Sequence, residues 1–148
     1  MTELARYRAG NPDFQVTALI ARWHAATATL TWVNCGHPPA YLIDAGGELH
    51  ELEAPSHPAL GSWPVDATYQ PTRLQLHRGE RLVLLTNGIT ERRTEGGGRF
   101  GVDGLKRALE QVENPTAAST AMAIQQAVTD CWQEPLGDDA TVVVMAIE

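Results

Sequence analysis

Arg81-Leu82-Val83-Leu84-Leu85-Thr86-Asn87-Gly88-Ile89-Thr90-Glu91 is the stretch on which the reading of this chain turns. Its first half is an unbroken apolar run of strand length, as expected for a strand buried on both faces. It breaks at Asn-Gly, a pair that readily takes a sharp turn with positive φ. A buried strand that ends in a polar side chain beside glycine aims one ligand into a cleft; an ordinary strand-to-turn transition reads the same way. A second polar strand end, Gly137-Asp138-Asp139-Ala140-Thr141, precedes the β-branched run Val142-Val143-Val144-Met145. Two strand termini carrying acid or amide groups are thus available to meet in space.

Outward from these ends, the 148-residue chain is 43% hydrophobic and only 20% charged, enough for one domain with a real core. A formal charge of −7 argues against non-specific nucleic-acid binding, which needs a basic surface to release counterions. Cys35 and Cys131 have neither metal-ligand spacing nor the density of a disulfide framework, which points to a reducing compartment. Residues 1–13 are polar and read as a leader or a helix end, without the apolar core of a signal peptide. No run approaches the ~20 apolar residues that span a bilayer. A soluble, cytoplasmic protein is expected.

Strands are expected at Phe14–His24, Leu30–Val33, Ala40–Ile43, Glu48–Leu52, Thr68–Leu76 and from Arg81, with Asp44-Ala45-Gly46-Gly47 as a hairpin turn. Pro71 demotes part of the fifth strand to an edge or bulge. Pro55–Pro64 is a loop. Val102, Leu105, Ala108, Leu109 and Val112 mark one face of an amphipathic helix. Asn114-Pro115 supplies an N-cap and a first-turn proline for a second helix, running to about Gln133. Ala140–Ile147 is a terminal strand. Strands followed by segregated helices predict an α+β fold.

Several pieces together resemble one family. They are Phe14-Gln15-Val16-Thr17-Ala18-Leu19, Asn34-Cys35-Gly36-His37-Pro38-Pro39, Leu60-Gly61, Gly79-Glu80-Arg81-Leu82, Thr86-Asn87-Gly88-Ile89-Thr90-Glu91, Phe100-Gly101-Val102-Asp103-Gly104-Leu105 and Asp138-Asp139-Ala140-Thr141. In this order they resemble the SpoIIE-type branch of bacterial metal-dependent protein serine/threonine phosphatases, the PPM family. The resemblance implies an α-β-β-α sandwich with two Mn²⁺ or Mg²⁺ ions at one end of the sheets. It implies hydrolysis of phosphoserine or phosphothreonine by a metal-bound water, the usual substrate being an anti-sigma factor antagonist. Hard divalent cations suit carboxylate oxygens, and a metal pair both generates hydroxide and neutralises phosphoryl charge.

By the family pattern Asp138 is a metal ligand, Asp139 a weaker one, and Asn87 stands at a ligand position. Gly88, Gly36 and His37 flank the site. The Asp138-Asp139 pair also reads as a plain loop turn before a strand. The chain departs from the family twice. The family has aspartate where Asn87 stands, and asparagine offers a carbonyl oxygen without charge. The upstream Gly-Asp-Val-type strand end is also absent, so residues 14–148 are expected to be the C-terminal portion of the domain, truncated at its N-terminal side. The segment would then belong to a longer protein with an upstream sensor domain, or to a reduced domain that pairs, for instance as a homodimer. A non-catalytic, phosphatase-like binding module is the alternative function.

Other candidates have plainer readings. The five histidines show no pairing for zinc, and His37 is expected to hold its glycine-proline turn rather than act as an acid. Trp23 and Trp32 read as cross-strand core or edge partners rather than a ligand box. Arg92 and Arg93 follow the Asn-Gly turn, to meet a phosphate or to lie on a solvated helix face. Gly96–Arg99 is a substrate-touching insertion or a surface loop. Ser56 and Cys35 lack a base at any readable spacing. Asn87-Gly88 is a sequence prone to deamidation, which would restore a carboxylate at 87.

Overall fold

The apolar run at 81–85 is a strand in the middle of a sheet. The computed structural model describes residues 15–55, 57–62 and 68–148. The expected leader at 1–13, the start of the first expected strand at Phe14, Ser56 and part of the 55–64 loop lie outside these residues. Two antiparallel sheets, of three and four strands, occur with helices gathered late in the chain, which is the expected α+β class. The chain divides into two units, 1–37 with 53–76, and 38–52 with 77–148.

The first unit holds β1 (Ala18–His24), β2 (Thr29–Cys35) and β5 (Thr72–Gln75), in the order β1-β2-β5. The β1–β2 hairpin turns through a 3-10 segment, Ala25–Thr27, and Ala28 takes a left-handed conformation at φ 47°. That explains why no Asn-Gly signal marks the turn: a non-glycine residue bears a strain of about 1 kcal/mol there. Trp32 is buried, whereas Trp23 is half-buried and faces Leu30 across the ladder, so the two tryptophans are not cross-strand partners. The strand expected over Thr68–Leu76 shortens to four residues after Pro71, which cannot donate to the ladder.

The second unit holds β3 (Tyr41–Ile43), β4 (Leu49–Glu51), β6 (Arg81–Leu85) and β7 (Val142–Ala146), in the order β4-β3-β6-β7. Four of the five β6 residues are buried, as a central strand requires. Tyr41 pairs with Val83, and Leu85 with Val142. A period of two places Tyr41, Ile43, Val83 and Leu85 on one face, where they join Ile89, Phe100, Leu105, Ile124 and Val128 in one core cluster. The last four come from or adjoin two helices, α2 (Gly101–Glu110) and α3 (Ala117–Asp130).

Here α3 corrects the sequence reading. Its N-cap is Thr116, not Asn114, and Pro115 precedes the helix. The Thr116 hydroxyl accepts from Ser119 N at 3.0 Å while Thr116 N donates to Ser119 Oγ at 2.9 Å, a reciprocal cap. A cap that forms two bonds outcompetes the single bond Asn114 offers. Among the described residues no helix is long and apolar enough to cross a membrane.

Candidate functional site

Between β6 and α2 the chain makes one helical turn, α1 (Asn87–Thr90), where an open turn with positive φ was expected. Gly88 is not among the left-handed glycines of the chain. The reason for glycine here is proximity. A Cβ on Gly88 would lie 2.4 Å from Asp139 O and 2.8 Å from its carbonyl carbon. The backbone of the second strand end therefore passes directly over α1.

Thr86 locks the two ends together. Its backbone N donates to Thr141 O at 3.1 Å, its Oγ1 donates to Asp139 O at 2.9 Å, and that Oγ1 accepts from Thr141 N at 2.8 Å. One hydroxyl thus extends the β6–β7 ladder by a step where the strands diverge. The divergence leaves Asn87 and Asp138 lining the same cleft, of about 350 Å³, with Glu91, Arg93, Trp132 and Glu134. Both Asn87 and Asp138 are exposed. Asp138 Oδ1 accepts from Asp139 N at 2.8 Å, which holds the carboxylate against its own backbone. Asp139, exposed as well, does not line the cleft, and its contribution to the contact is its carbonyl rather than its carboxylate.

Arg92 departs from the solvated helix face expected of it, although it does line the cleft. It is buried, and its guanidinium donates to the carbonyls of Pro135 at 2.7 Å, Trp132 at 2.9 Å and Glu134. Its charged plane also lies 5.9 Å from the Trp132 ring centroid. Arg92 is therefore the clasp that fixes residues 132–135 as one wall of the cleft. No sequence pattern marks it, because its partners are backbone groups some 40 residues away. Arg93, in contrast, stands exposed on the cleft wall. Residues 94–98 form a turn closed by Thr94 N to Gly98 O at 3.0 Å, between the paired residues Arg93 and Arg99.

Gly36 and His37 belong to the first unit. They sit in a turn held by Asn34, whose Oδ1 accepts from His37 N and whose Nδ2 donates to His37 O, each at 2.8 Å. Gly36 needs its lack of side chain there, with φ at 71° and Ala59 N 3.1 Å from where a Cβ would be.

Hard divalent cations take six or more oxygens, largely anionic. The cleft offers the Asp138 carboxylate, the neutral Asn87 amide, and Glu91 and Glu134 on its walls. Among the described residues, no three carboxylates or imidazoles there bring their ligand atoms within 4.8 Å of one another. The one set that does is Asp44, Glu48 and His50 on the β3–β4 hairpin. It is an exposed turn whose Asp44 is already engaged, accepting from Gly46 N and Glu48 N at 2.9 Å and facing His50 Nε2 at 3.0 Å. The cleft's own residues therefore do not fit a complete two-metal centre.

The chain is similar to known phosphatases in sequence and in fold. The chain is 27% identical over 131 residues to the phosphoserine phosphatase RsbU of Bacillus subtilis, which covers 88% of this chain but 38% of RsbU. Its fold matches the phosphatase domain of the cell fate determinant SpoIIE from Bacillus subtilis with a TM-score of 0.70 at 19% identity, over 89% of this chain and 56% of that one. The match to the SiaA PP2C domain of Pseudomonas aeruginosa has a TM-score of 0.74 at 20% identity, over 89% and 52%. The chain thus spans little more than half of the solved domains it resembles. The sequence model of the family described as Stage II sporulation protein E (SpoIIE) matches residues 3–148, and the chain belongs to that family, with the α+β fold of the PP2C phosphatase domains.

Proposed function

We propose that residues 14–148 are the C-terminal portion of a metal-dependent protein serine/threonine phosphatase domain. Its substrate is a phosphorylated anti-sigma factor antagonist in a bacterial partner-switching pathway, and it works in the cytoplasm. The observation that carries this reading is the closure of the two strand ends by Thr86 and Gly88, which sets Asn87 and Asp138 in one cleft beside the exposed Arg93. By the resemblance, Asp138 stands at a ligand position and Asn87 where the family carries aspartate. In a completed site Asp138 would hold a Mn²⁺ or Mg²⁺ ion, and Arg93 would attract the phosphoryl dianion of the incoming residue. The ions supply activated water and charge neutralisation when bound. The chain's similarity to RsbU, a phosphoserine phosphatase, supports the substrate class.

A second reading has its own observation. Asn87 has no charge, and no three acids of the cleft converge, which favours a phosphatase-like module that binds a phosphoprotein without cleaving it. Calorimetric titration of Mn²⁺ into this chain and into Asn87→Asp, with phosphopeptide hydrolysis followed in both, separates the two. Tighter Mn²⁺ binding and turnover only in Asn87→Asp identify a phosphatase scaffold whose charge was lost at 87. Turnover in the unaltered chain removes the binding-module reading. Phosphopeptide binding without Mn²⁺ binding or turnover in either form removes the enzyme reading for this chain.

A further inference from the structure

Arg81 is a buried cation that the fold leaves without a counter-charge. It is 6% exposed at the start of β6. Its Nη1 donates to Thr120 Oγ1 at 2.7 Å, and Nε is buried with no hydrogen-bond partner. Neither ion pair among the described residues includes it. Thr120 lies in the first turn of α3, the end of a helix where the backbone carries partial positive charge, so the local field opposes a guanidinium. Burial pushes the Arg81 pKa down, with no carboxylate acting in the opposite direction. Buried charges are ordinarily paired, and each exception in a native fold asks for an explanation.

Arg81 also lines a second cleft, of about 500 Å³, within the same unit. It is the buried charge of that lining; the others, Lys106, Glu48, Glu110 and Glu113, are exposed. Half-buried Leu49, Leu109 and Val112 form apolar walls. The volume suits a small organic ligand. Three rim glutamates disfavour a dianion such as phosphate. The planar, two-pronged edge of a guanidinium matches a carboxylate.

We infer that this cleft binds a small monocarboxylate with an apolar body, its carboxylate pairing with Arg81 and its stem lying against Leu49, Leu109 and Val112. The same chemistry is offered by a free organic acid and by the C-terminus of a peptide that ends in an apolar residue.

The test is a titration of the 148-residue chain followed by amide NMR shifts, with hexanoate for the free acid and N-acetyl-alanyl-leucine for the peptide end. Hexanol and inorganic phosphate are the controls. Saturable shifts over residues 45–49 and 109–113 with a carboxylate, and none with hexanol or phosphate, are expected. The tighter of the two carboxylates identifies the source. Arg81→Gln, which retains a donor for Thr120, weakens carboxylate binding by about tenfold while its circular dichroism stays unchanged. Should Arg81→Gln fail to fold, the double substitution Glu110→Gln and Glu113→Gln on the exposed rim carries the test, and it tightens binding by roughly threefold. The inference is overturned by equal shifts with hexanol, by no saturable shift with either carboxylate, or by an affinity indifferent to these substitutions.

Discussion

Replacing Gly88 by alanine tests whether the two strand ends really meet through bare backbone. A Cβ at 88 would sit 2.4 Å from Asp139 O, 2.8 Å from Asp139 C and 3.2 Å from Ala140 N. Carbon and oxygen sit comfortably at about 3.3 Å or more, so the strand end must back away by nearly 1 Å. All three atoms are backbone, and no side chain is there to swing aside. The movement pulls on both bonds of Thr86 Oγ1, to Asp139 O and from Thr141 N. Two such bonds contribute about 1 kcal/mol each, and overpacking adds roughly 1–3 kcal/mol. Alanine returns about 1 kcal/mol as the better helix former. The expected net loss is about 2–4 kcal/mol, read from urea denaturation, with a melting point lower by roughly 5–15 °C. Hydrogen exchange gives the local signature, since the Thr141 amide loses protection first. Gly96→Ala is the control: no heavy atom lies within 4 Å of its Cβ and its φ is not positive, so stability changes by about 0.5 kcal/mol or less. A Gly88→Ala protein within about 0.5 kcal/mol of the parent, with Thr141 still protected, would refute the close approach.

Arg92→Met removes the donor to three carbonyls and leaves them unpaired beside the cleft, so a loss of about 3–4 kcal/mol is expected by chemical denaturation. Arg92→Lys does not restore it, because one ammonium lacks the fork; full stability in either variant would mean the clasp is idle. On the β3–β4 turn, the His50 ring, followed by the Glu48 and Gly46 amides, holds the Asp44 carboxyl below the usual carboxylate value. A carboxyl with a folded pKa below its unfolded one contributes stability above the unfolded value, about 3.9, and loses it as pH falls through the folded value. A carboxyl-carbon NMR titration should show the low Asp44 midpoint and its rise in His50→Gln; an unchanged midpoint would remove the histidine as its main cause.

Periodicity made the scaffold readable. The unbroken apolar run at 82–85, the spacing of Leu105, Ala108 and Leu109, and the β-branched run at 142–144 each had one sensible secondary structure, and each took it, although the helix ends at Glu110, short of Val112. Both strand ends were visible as well, because Thr86-Asn87-Gly88 and Asp138-Asp139 are polar punctuation on apolar strands. What escaped was whatever depended on a partner far along the chain. Gly88 looked like a turn residue because its crowding comes from position 139. Arg92 looked like a surface charge because the carbonyls it binds carry no sequence signature. Asn114 looked like a cap until the reciprocal Thr116–Ser119 pair outbid it. Arg81 stood at the head of the apolar run 82–85, where only its burial distinguishes it from a strand-edge cation.

The Thr86–Thr141 lock also sets the order in which this unit can assemble. The two residues are 55 positions apart, and the whole of α1, α2 and α3 is the loop between them. Closing a loop of that length costs about 3.5 kcal/mol in chain entropy before the β6–β7 ladder contributes anything. Local helices form in microseconds, whereas so non-local a pairing waits on a slow search. The cleft is therefore a late product of folding, made when β7 docks beside β6 with Val142 and Val144 against the core. Undocking of β7 parts Asp138 from Asn87 and takes from α3 the strand it packs against, so a population of partly opened molecules would have no site at all.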